Sequence, residues 1–230
     1  MKEIIDFARK GYVTSANFSI VKKVKFVLKL FLVLTISSFL IIVMMQLINH
    51  HIIELPRPDK LSKLNDLSTL EIFFRGVVFA PIIEELIFRL CLKFTKLNFS
   101  VMISSMVFLM LNMFFELSKT HVGLFSLLLG IILYLIIADR VLLILNNFWM
   151  QNRVLILYCL LLSFSYLHLA NYDSITLKLI LLSPIILLTK FVGGFIMSYA
   201  RLKIGIISSI VLHVLNNSIA FVFLVYHRFL

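Results

Sequence analysis

Residues 30–47 read LFLVLTISSFLIIVMMQL, a run of eighteen positions without a charged side chain. A membrane-spanning helix needs about 20 predominantly apolar residues. Similar stretches recur along the chain, which is 61% hydrophobic and only 14% charged, with a mean hydropathy of +1.06. Soluble domains are roughly 45–50% apolar and about 25% charged, so this composition excludes a water-soluble globular protein. The sequence predicts an all-α integral membrane protein.

The apolar segments fill nearly all of the 230 residues, which leaves no room for a separate soluble domain. We therefore predict a polytopic bundle of about seven transmembrane helices. Residues 1–29 form a basic cytoplasmic segment, and residues 30–230 form one transmembrane domain with a motif-bearing core at 72–226. Residues 138–152, which contain Asp139 and Arg140, are compatible with an interfacial helix or a loop. The predicted spans are 30–47, 72–92, 99–115, 122–137, 154–169, 179–199 and 204–226.

The net charge of +11 is unevenly distributed along the chain. Seven of the 22 Lys and Arg residues precede Leu30. When loops are assigned alternately, 13 lie on the N-terminal side, 6 on the other side and three within spans. Positive residues are enriched in cytoplasmic loops, so the asymmetry predicts an uncleaved first span, a cytoplasmic N-terminus and an external C-terminus. The basic character therefore reflects topology and does not indicate nucleic-acid binding.

Ionisable side chains are rare inside membranes, and they are functional-site candidates by default. The second predicted span contains APIIEELIFR at 80–89, with two adjacent carboxylates and an arginine. Glu85 and Arg89 are four residues apart, so they lie on one helix face and can form an ion pair that holds helices together. Glu84 projects about 100° away around the helix and is free to face a cavity. Pro81 is expected to loosen this helix.

Two further pairs of residues share a helix face at i, i+4 spacing. Phe164 and His168 lie near the end of the fifth predicted span, and His213 and Asn217 lie near the middle of the seventh. Taken alone, such side chains more often serve as interfacial groups or as hydrogen-bonding partners between helices. Together with Glu84 they form a candidate site.

The motifs EExxxR at 84–89, FxxxH at 164–168 and HxxxN at 213–217 lie in this order on separate apolar segments. They resemble the three motifs of the CPBP family, which comprises the CAAX prenyl endopeptidases and the bacteriocin-processing or Abi-type membrane proteins. The resemblance covers residues 79–218 and includes the glycine and arginine segment at 193–205. It implies an intramembrane endopeptidase of the bacterial plasma membrane that acts on a peptide or a membrane-tethered protein.

The resemblance also implies a role for each motif residue. Glu84, assisted by His168, would activate a water, while His213 and Asn217 would stabilise the oxyanion. This chemistry is coherent, because a carboxylate sheltered from bulk water is a better general base near neutral pH. An imidazole N–H and an amide N–H aimed at one point can form an oxyanion hole without a metal. The remaining motif residues, Glu85 and Arg89, would hold the helix and orient Glu84.

The sequence leaves three alternatives open. Asn112, in the apolar segment 104–112, is another counterpart for the second motif, in which case His168 is incidental. No cofactor is expected, although Glu84, His168 and His213 could converge as ligands if a divalent metal such as zinc is present. A non-catalytic immunity, peptide-binding or scaffold protein of the same fold is the alternative function. A transporter is disfavoured because the sequence has no internal repeat.

Overall fold

The computed structural model describes residues 2–56, 58, 67–115 and 118–229, with side chains as far as residue 226. Every regular element in these ranges is helical. A π-helical segment, Phe73–Phe79, joins α3 to α4, and 3-10 turns at Leu90–Leu92 and His168–Asn171 follow α4 and α8. The α-helices are α1 (Lys2–Lys10), α2 (Ile20–His51), α3 (Thr69–Ile72), α4 (Ala80–Phe88), α5 (Lys96–Phe114), α6 (Lys119–Ile136), α7 (Asp139–Gln151), α8 (Arg153–Leu167), α9 (Leu177–Ile186), α10 (Leu188–Ile204) and α11 (Ile206–Phe229).

Five helical stretches are individually long and apolar enough to cross a membrane, namely α2, α5, α6, α8 with its 3-10 turn, and α11. The predicted span 179–199 is instead two helices, α9 and α10, bent by 44° at Leu187, and together they could form a sixth span. The described chain is therefore an all-helical membrane protein with five or six candidate spans. The predicted count of seven is not confirmed, because the second predicted span is divided among short helical segments of different type.

The division of the second predicted span reflects Pro81. Proline lacks the N–H that an α-helix would pair with the carbonyl four residues earlier. The preceding segment is wound as a π-helix, in which the Ala80 N–H donates to the carbonyl of Arg75, five residues back. Helical winding nevertheless continues from Thr69 to Phe88. Pro81, which the sequence predicts to loosen this helix, therefore changes its winding without interrupting it.

The N-terminal segment is folded onto the bundle. Phe7 of α1 is fully buried, with its ring 4.9 Å from Phe195 and 5.6 Å from Tyr199 of α10. Gly11, at φ 61°, ends α1, and a Cβ there would lie 2.7 Å from the Arg153 backbone. The first long helix begins at Ile20, ten residues before the predicted boundary, because the lysines at 22–29 lower the hydropathy without preventing helix formation.

Several connecting segments meet at the end of the bundle that carries α1, which we call the basic end (residues 2–18, 89–96, 138–153 and 201–205). The Ala16 N–H donates to the carbonyl of Lys203 at 2.8 Å. The Arg201 guanidinium donates to the carbonyl of Leu90 at 2.8 Å, and the Trp149 ring lies 5.2 Å from Phe94. Residues 139–151, which the sequence left as helix or loop, form α7 without a buried residue. The opposite end contains the ends of α2 and α8.

The apolar core lies where α2, α8, α10 and α11 pack together, and its buried members include Leu34, Leu157, Leu161, Met197 and Leu212. The α5–α6 hairpin is peripheral and reaches this bundle mainly through α4. This packing brings α4, α8, α10 and α11 together around the polar residues that the sequence motifs identify.

Candidate functional site

The carboxylate of Glu85 is the centre of the buried polar cluster, and its side chain is 0% exposed. Its Oε1 lies 3.2 Å from Arg89 Nη1 and 2.9 Å from His213 Nδ1. Its Oε2 accepts a hydrogen bond from the Ser209 hydroxyl. Arg89, the partner that the i, i+4 spacing predicts, is therefore one of three polar partners of Glu85. The other two, His213 and Ser209, belong to α11. Glu85 joins α4 to α11 as well as neutralising Arg89.

His213 lies between the two adjacent carboxylates. Because an ionised carboxylate can only accept hydrogen bonds, the Nδ1 that contacts Glu85 carries a hydrogen. The other ring nitrogen, Nε2, lies 3.5 Å from Glu84 Oε2, at the limit of a direct hydrogen bond. The Glu84 side chain is 17% exposed, whereas that of Glu85 is 0% exposed. The two carboxylates thus differ in environment, one fully enclosed and one still accessible.

Arg89 is enclosed on all sides and is 0% exposed. Its guanidinium lies over the Phe164 ring at 3.7 Å from the ring centroid, a cation–π arrangement. Helix α10 approaches closely because Gly194 has no side chain, and a Cβ there would be 2.9 Å from Arg89 Nη2 and 3.0 Å from the Phe164 ring. None of the guanidinium nitrogens has a hydrogen-bond partner within the described part of the chain. The cation therefore depends on the Glu85 charge and on Phe164.

Phe164 separates the two histidines of the candidate site. Its ring centroid lies 5.0 Å from that of His168 and 5.9 Å from that of His213. His168 Nδ1 lies 2.9 Å from the carbonyl of Phe164. A carbonyl only accepts, so Nδ1–H donates to it and Nε2 retains its lone pair. His168 is thus oriented as a hydrogen-bond acceptor, although no hydrogen bond to Glu84 is found among the described residues.

Asn217 lies one turn beyond His213 on α11, and within the described ranges its amide makes no hydrogen bond to Glu84. Its Nδ2 donates to the carbonyl of Gly76, within the π-helical segment, at 3.0 Å. The alternative second-motif residue, Asn112, donates to the Phe108 carbonyl of its own helix at 2.7 Å. Of the four predicted catalytic residues, the structure brings Glu84 and His213 together. His168 lies on the opposite side of the Phe164 ring from His213, and Asn217 is hydrogen-bonded to the π-helical segment that precedes α4.

Two residues that the sequence did not identify belong to this region. Ser209 donates to Glu85, and Lys190 of α10 attracts Glu84 electrostatically. A signal for Lys190 was present, because it is one of three cations within predicted spans and intramembrane charges are functional candidates. Ser209 gave no such signal, since serines in membrane helices commonly bond to their own backbone.

A cavity of about 400 Å³ lies beside this cluster, and His168 and Lys190 are among its lining residues. In the described ranges, no set of three His, Cys, Asp or Glu side chains is close enough to hold a metal ion. The predicted ligand set is only partly assembled, with Glu84 near His213 and His168 on the other side of Phe164.

No family model, curated protein or solved structure matches the chain, so the family resemblance depends on the three motifs and the glycine and arginine segment at 193–205.

Proposed function

We propose that the protein is an intramembrane endopeptidase of the CPBP type, in which Glu84 activates the attacking water. The observation that carries this proposal is the position of His213 between Glu84, which is partly accessible, and Glu85, which is fully buried. A carboxylate that accepts a hydrogen bond from Nδ1–H holds an imidazole in one orientation. Glu85 therefore fixes the His213 ring with Nε2 directed toward the proposed base.

The proposed reaction assigns a role to each group, and Glu84 acts first as a base and then as an acid. Glu84 removes a proton from water, and the resulting hydroxide attacks the carbonyl carbon of the scissile peptide bond. His168 Nε2 accepts the second water hydrogen and orients the nucleophile. The oxyanion receives hydrogen bonds from His213 Nε2–H and from Asn217, whose amide has a second N–H besides the one donated to Gly76. Glu84 then returns its proton to the leaving amine.

The proposed enzyme has seven spans, with the winding from Thr69 to Phe88 as the second. It lies in the bacterial plasma membrane with a cytoplasmic N-terminus, which the charge asymmetry supports. The substrate is a peptide or a membrane-tethered protein. Zinc or another divalent metal is not required for these steps.

The test is the Glu84→Gln variant of the full-length protein, reconstituted in lipid and assayed with a pool of fluorogenic peptides. We expect cleavage to fall by at least ~100-fold, the usual contribution of a general base, with an unchanged melting temperature. The matched control is Glu71→Gln, which alters an exposed carboxylate on the same helical run and preserves its capping box. Full activity of Glu84→Gln would refute the proposal.

A non-catalytic scaffold or immunity protein is the second candidate, and a separate observation favours it. Both His213 nitrogens face carboxylates, and the Asn217 amide already bonds Gly76, so these polar groups have structural partners. The scaffold function predicts that Asn217→Ala lowers stability and that Glu84→Gln has no phenotype. The endopeptidase function predicts that both variants lose turnover.

A further inference from the structure

We propose that the cavity of about 400 Å³ beside the cluster binds a peptide segment through a carboxylate that pairs with Lys190. This inference rests on the endopeptidase function and specifies the substrate chemistry of the same site. The cavity lies between the C-terminal part of α2, the turn after α8 and the bend between α9 and α10. Its walls include Met45 and Asn49 of α2, Asn171 after α8, and Leu187 at the bend.

The cavity lies at the end of the bundle opposite the basic end, because α2 and α8 both run from the basic end and finish at the cavity. His168 and Lys190 connect it to the polar cluster. Lys190 attracts Glu84, and the His168 ring packs against Phe164, whose ring also contacts His213. A ligand in the cavity therefore lies next to His168 and Lys190, at the end of the bundle opposite α1.

The electrostatics of the cavity favour an anionic ligand. Of its described lining residues, Lys190 alone carries a full charge, and none is a carboxylate. Glu84 attracts this ammonium through space, and no ion pair within 4 Å joins the two side chains among the described contacts. A partly buried ammonium with apolar neighbours gains from a close, charge-assisted hydrogen bond. A carboxylate of the ligand can supply that contact.

The polar lining favours a peptide over a lipid phosphate. Three carboxamides, those of Gln46, Asn49 and Asn171, line the cavity. Carboxamides both donate and accept hydrogen bonds, which matches the alternating N–H and C=O groups of a peptide backbone, whereas a phosphate only accepts. The Asn49 Oδ1 already accepts from the Leu55 N–H at 2.8 Å. Apolar walls accommodate the ligand's side chains.

The carboxylate can come from an acidic side chain or from a peptide C-terminus, and one experiment separates them. Full-length Glu84→Gln protein is immobilised in detergent micelles and incubated with three pools of hexapeptides, randomised over residues other than Asp and Glu. One pool is amidated with a central Glu, one is amidated with a central Gln, and one has a central Gln and a free C-terminus. We expect capture of an acid-bearing pool to exceed that of the neutral pool by about tenfold.

Variants at position 190 test the assignment of the cation. Lys190→Met should abolish the preference for acid-bearing peptides, and Lys190→Arg should retain it. Lys178→Met, an exposed lysine of α9 outside the cavity, is the matched control and should also retain it. Equal capture of all three pools, or a preference that survives Lys190→Met, would overturn the proposal. The pool comparison with Lys190 intact decides the question even if Lys190→Met does not fold.

Lipid binding and residual proteolysis give two further outcomes that decide between the candidate ligands and test the endopeptidase function. Retention of phosphatidylglycerol that depends on Lys190, combined with equal capture of the three peptide pools, would overturn the peptide site in favour of a lipid phosphate. Because the readout is binding to a Glu84→Gln protein, it does not depend on turnover. A preference for acidic peptides alongside full proteolysis by Glu84→Gln would support this cavity assignment and refute the proposed endopeptidase.

Discussion

Glu85 is the residue on which the buried polar contacts converge. It neutralises Arg89, receives the Nδ1–H of His213 and accepts from Ser209. Two charges buried together are not necessarily stabilising, but removing one of them leaves the other uncompensated and is strongly destabilising. The cost should be large at this site because the guanidinium nitrogens have no hydrogen-bond partner among the described residues.

We expect Glu85→Gln to lower the free energy of unfolding by about 3–5 kcal/mol. The matched control is Glu71→Gln, because Glu71 and Arg75 form an ion pair with the same i, i+4 spacing but side chains that are 47% and 54% exposed. Exposed pairs contribute about 0–1 kcal/mol. Thermal and denaturant unfolding in detergent micelles compare the two variants. Similar losses in both would contradict the central role of Glu85.

The sequence predicts contacts between residues of one helix, but not contacts between residues of different helices. Spacing alone predicts the Glu85–Arg89 pair, because residues four apart share a helix face, and the structure contains it. Spacing within one helix cannot show that Ser209 and His213 approach the same carboxylate, since that depends on how α4 and α11 pack. It also cannot show that Asn217 contacts Gly76, whose carbonyl lies in a π-helical segment. The catalytic roles of these residues remain predictions.

At the scale of elements, α1 is attached to the bundle by contacts of two kinds. Phe7 packs between the rings of Phe195 and Tyr199. Glu3 accepts hydrogen bonds from Lys203 and from the Tyr199 hydroxyl. The hydrogen bond from Lys203 is the main cause that lowers the pKa of the Glu3 carboxyl from its usual 4.5.

The lowered pKa of Glu3 determines how the attachment of α1 responds to pH. A carboxyl with a lower pKa in the folded state contributes stability above its unfolded pKa, and this stability is lost as the pH falls through the folded value. We therefore expect α1 to detach more readily below about pH 4.5. Hydrogen exchange of residues 2–10, corrected for intrinsic rates, measures this. Glu3→Gln should remove the pH dependence, and Asp6→Asn should retain it.

Four of the seven predicted spans match a helix, α5, α6, α8 or α11, to within a few residues, because apolar runs of membrane length are a strong signal. The structure departs from the prediction where a local feature competes with hydropathy. The lysines at 22–29 lower the hydropathy of the first ten residues of α2, so the predicted span began too late. The break at Leu187 lies three residues after Pro184, within a segment that hydropathy alone predicts as one span. The amphipathic α7 has only 13 residues and begins with Asp139 and Arg140, so hydropathy does not distinguish it from a loop.

At the scale of the whole molecule, the connecting segments predicted to be cytoplasmic meet at the basic end. Arg201 donates to the Leu90 carbonyl, Lys203 accepts from the Ala16 N–H, and Trp149 packs on Phe94. This arrangement is expected for a chain that crosses seven times, with the run from Thr69 to Phe88 as one crossing. If the helical run from Thr69 to Phe88 crosses the membrane, Glu54 and Thr95 lie on opposite sides of it.

Cysteine labelling in intact cells tests the crossing. In a background of Cys91→Ala and Cys159→Ala, which removes both native thiols, we expect Glu54→Cys to react with a membrane-impermeant maleimide. Thr95→Cys should react only after permeabilisation. Gln151→Cys and Ser174→Cys, which flank α8, serve as the matched pair that should behave as inside and outside positions. Labelling of Thr95→Cys and Glu54→Cys from the same side would exclude a crossing by residues 69–88.

The division of the buried cluster between α4 and α11 has a consequence for biosynthesis. Because synthesis runs from the N-terminus, Glu85 and Arg89 enter the bilayer before Ser209 and His213 have been made. Until α11 inserts, Glu85 lacks two of its three polar partners. Helix α11 thus completes the hydrogen bonding of the Glu85 carboxylate on α4. A nascent chain that stalls before α11 retains exposed polar groups inside the membrane, a feature that membrane quality control could recognise.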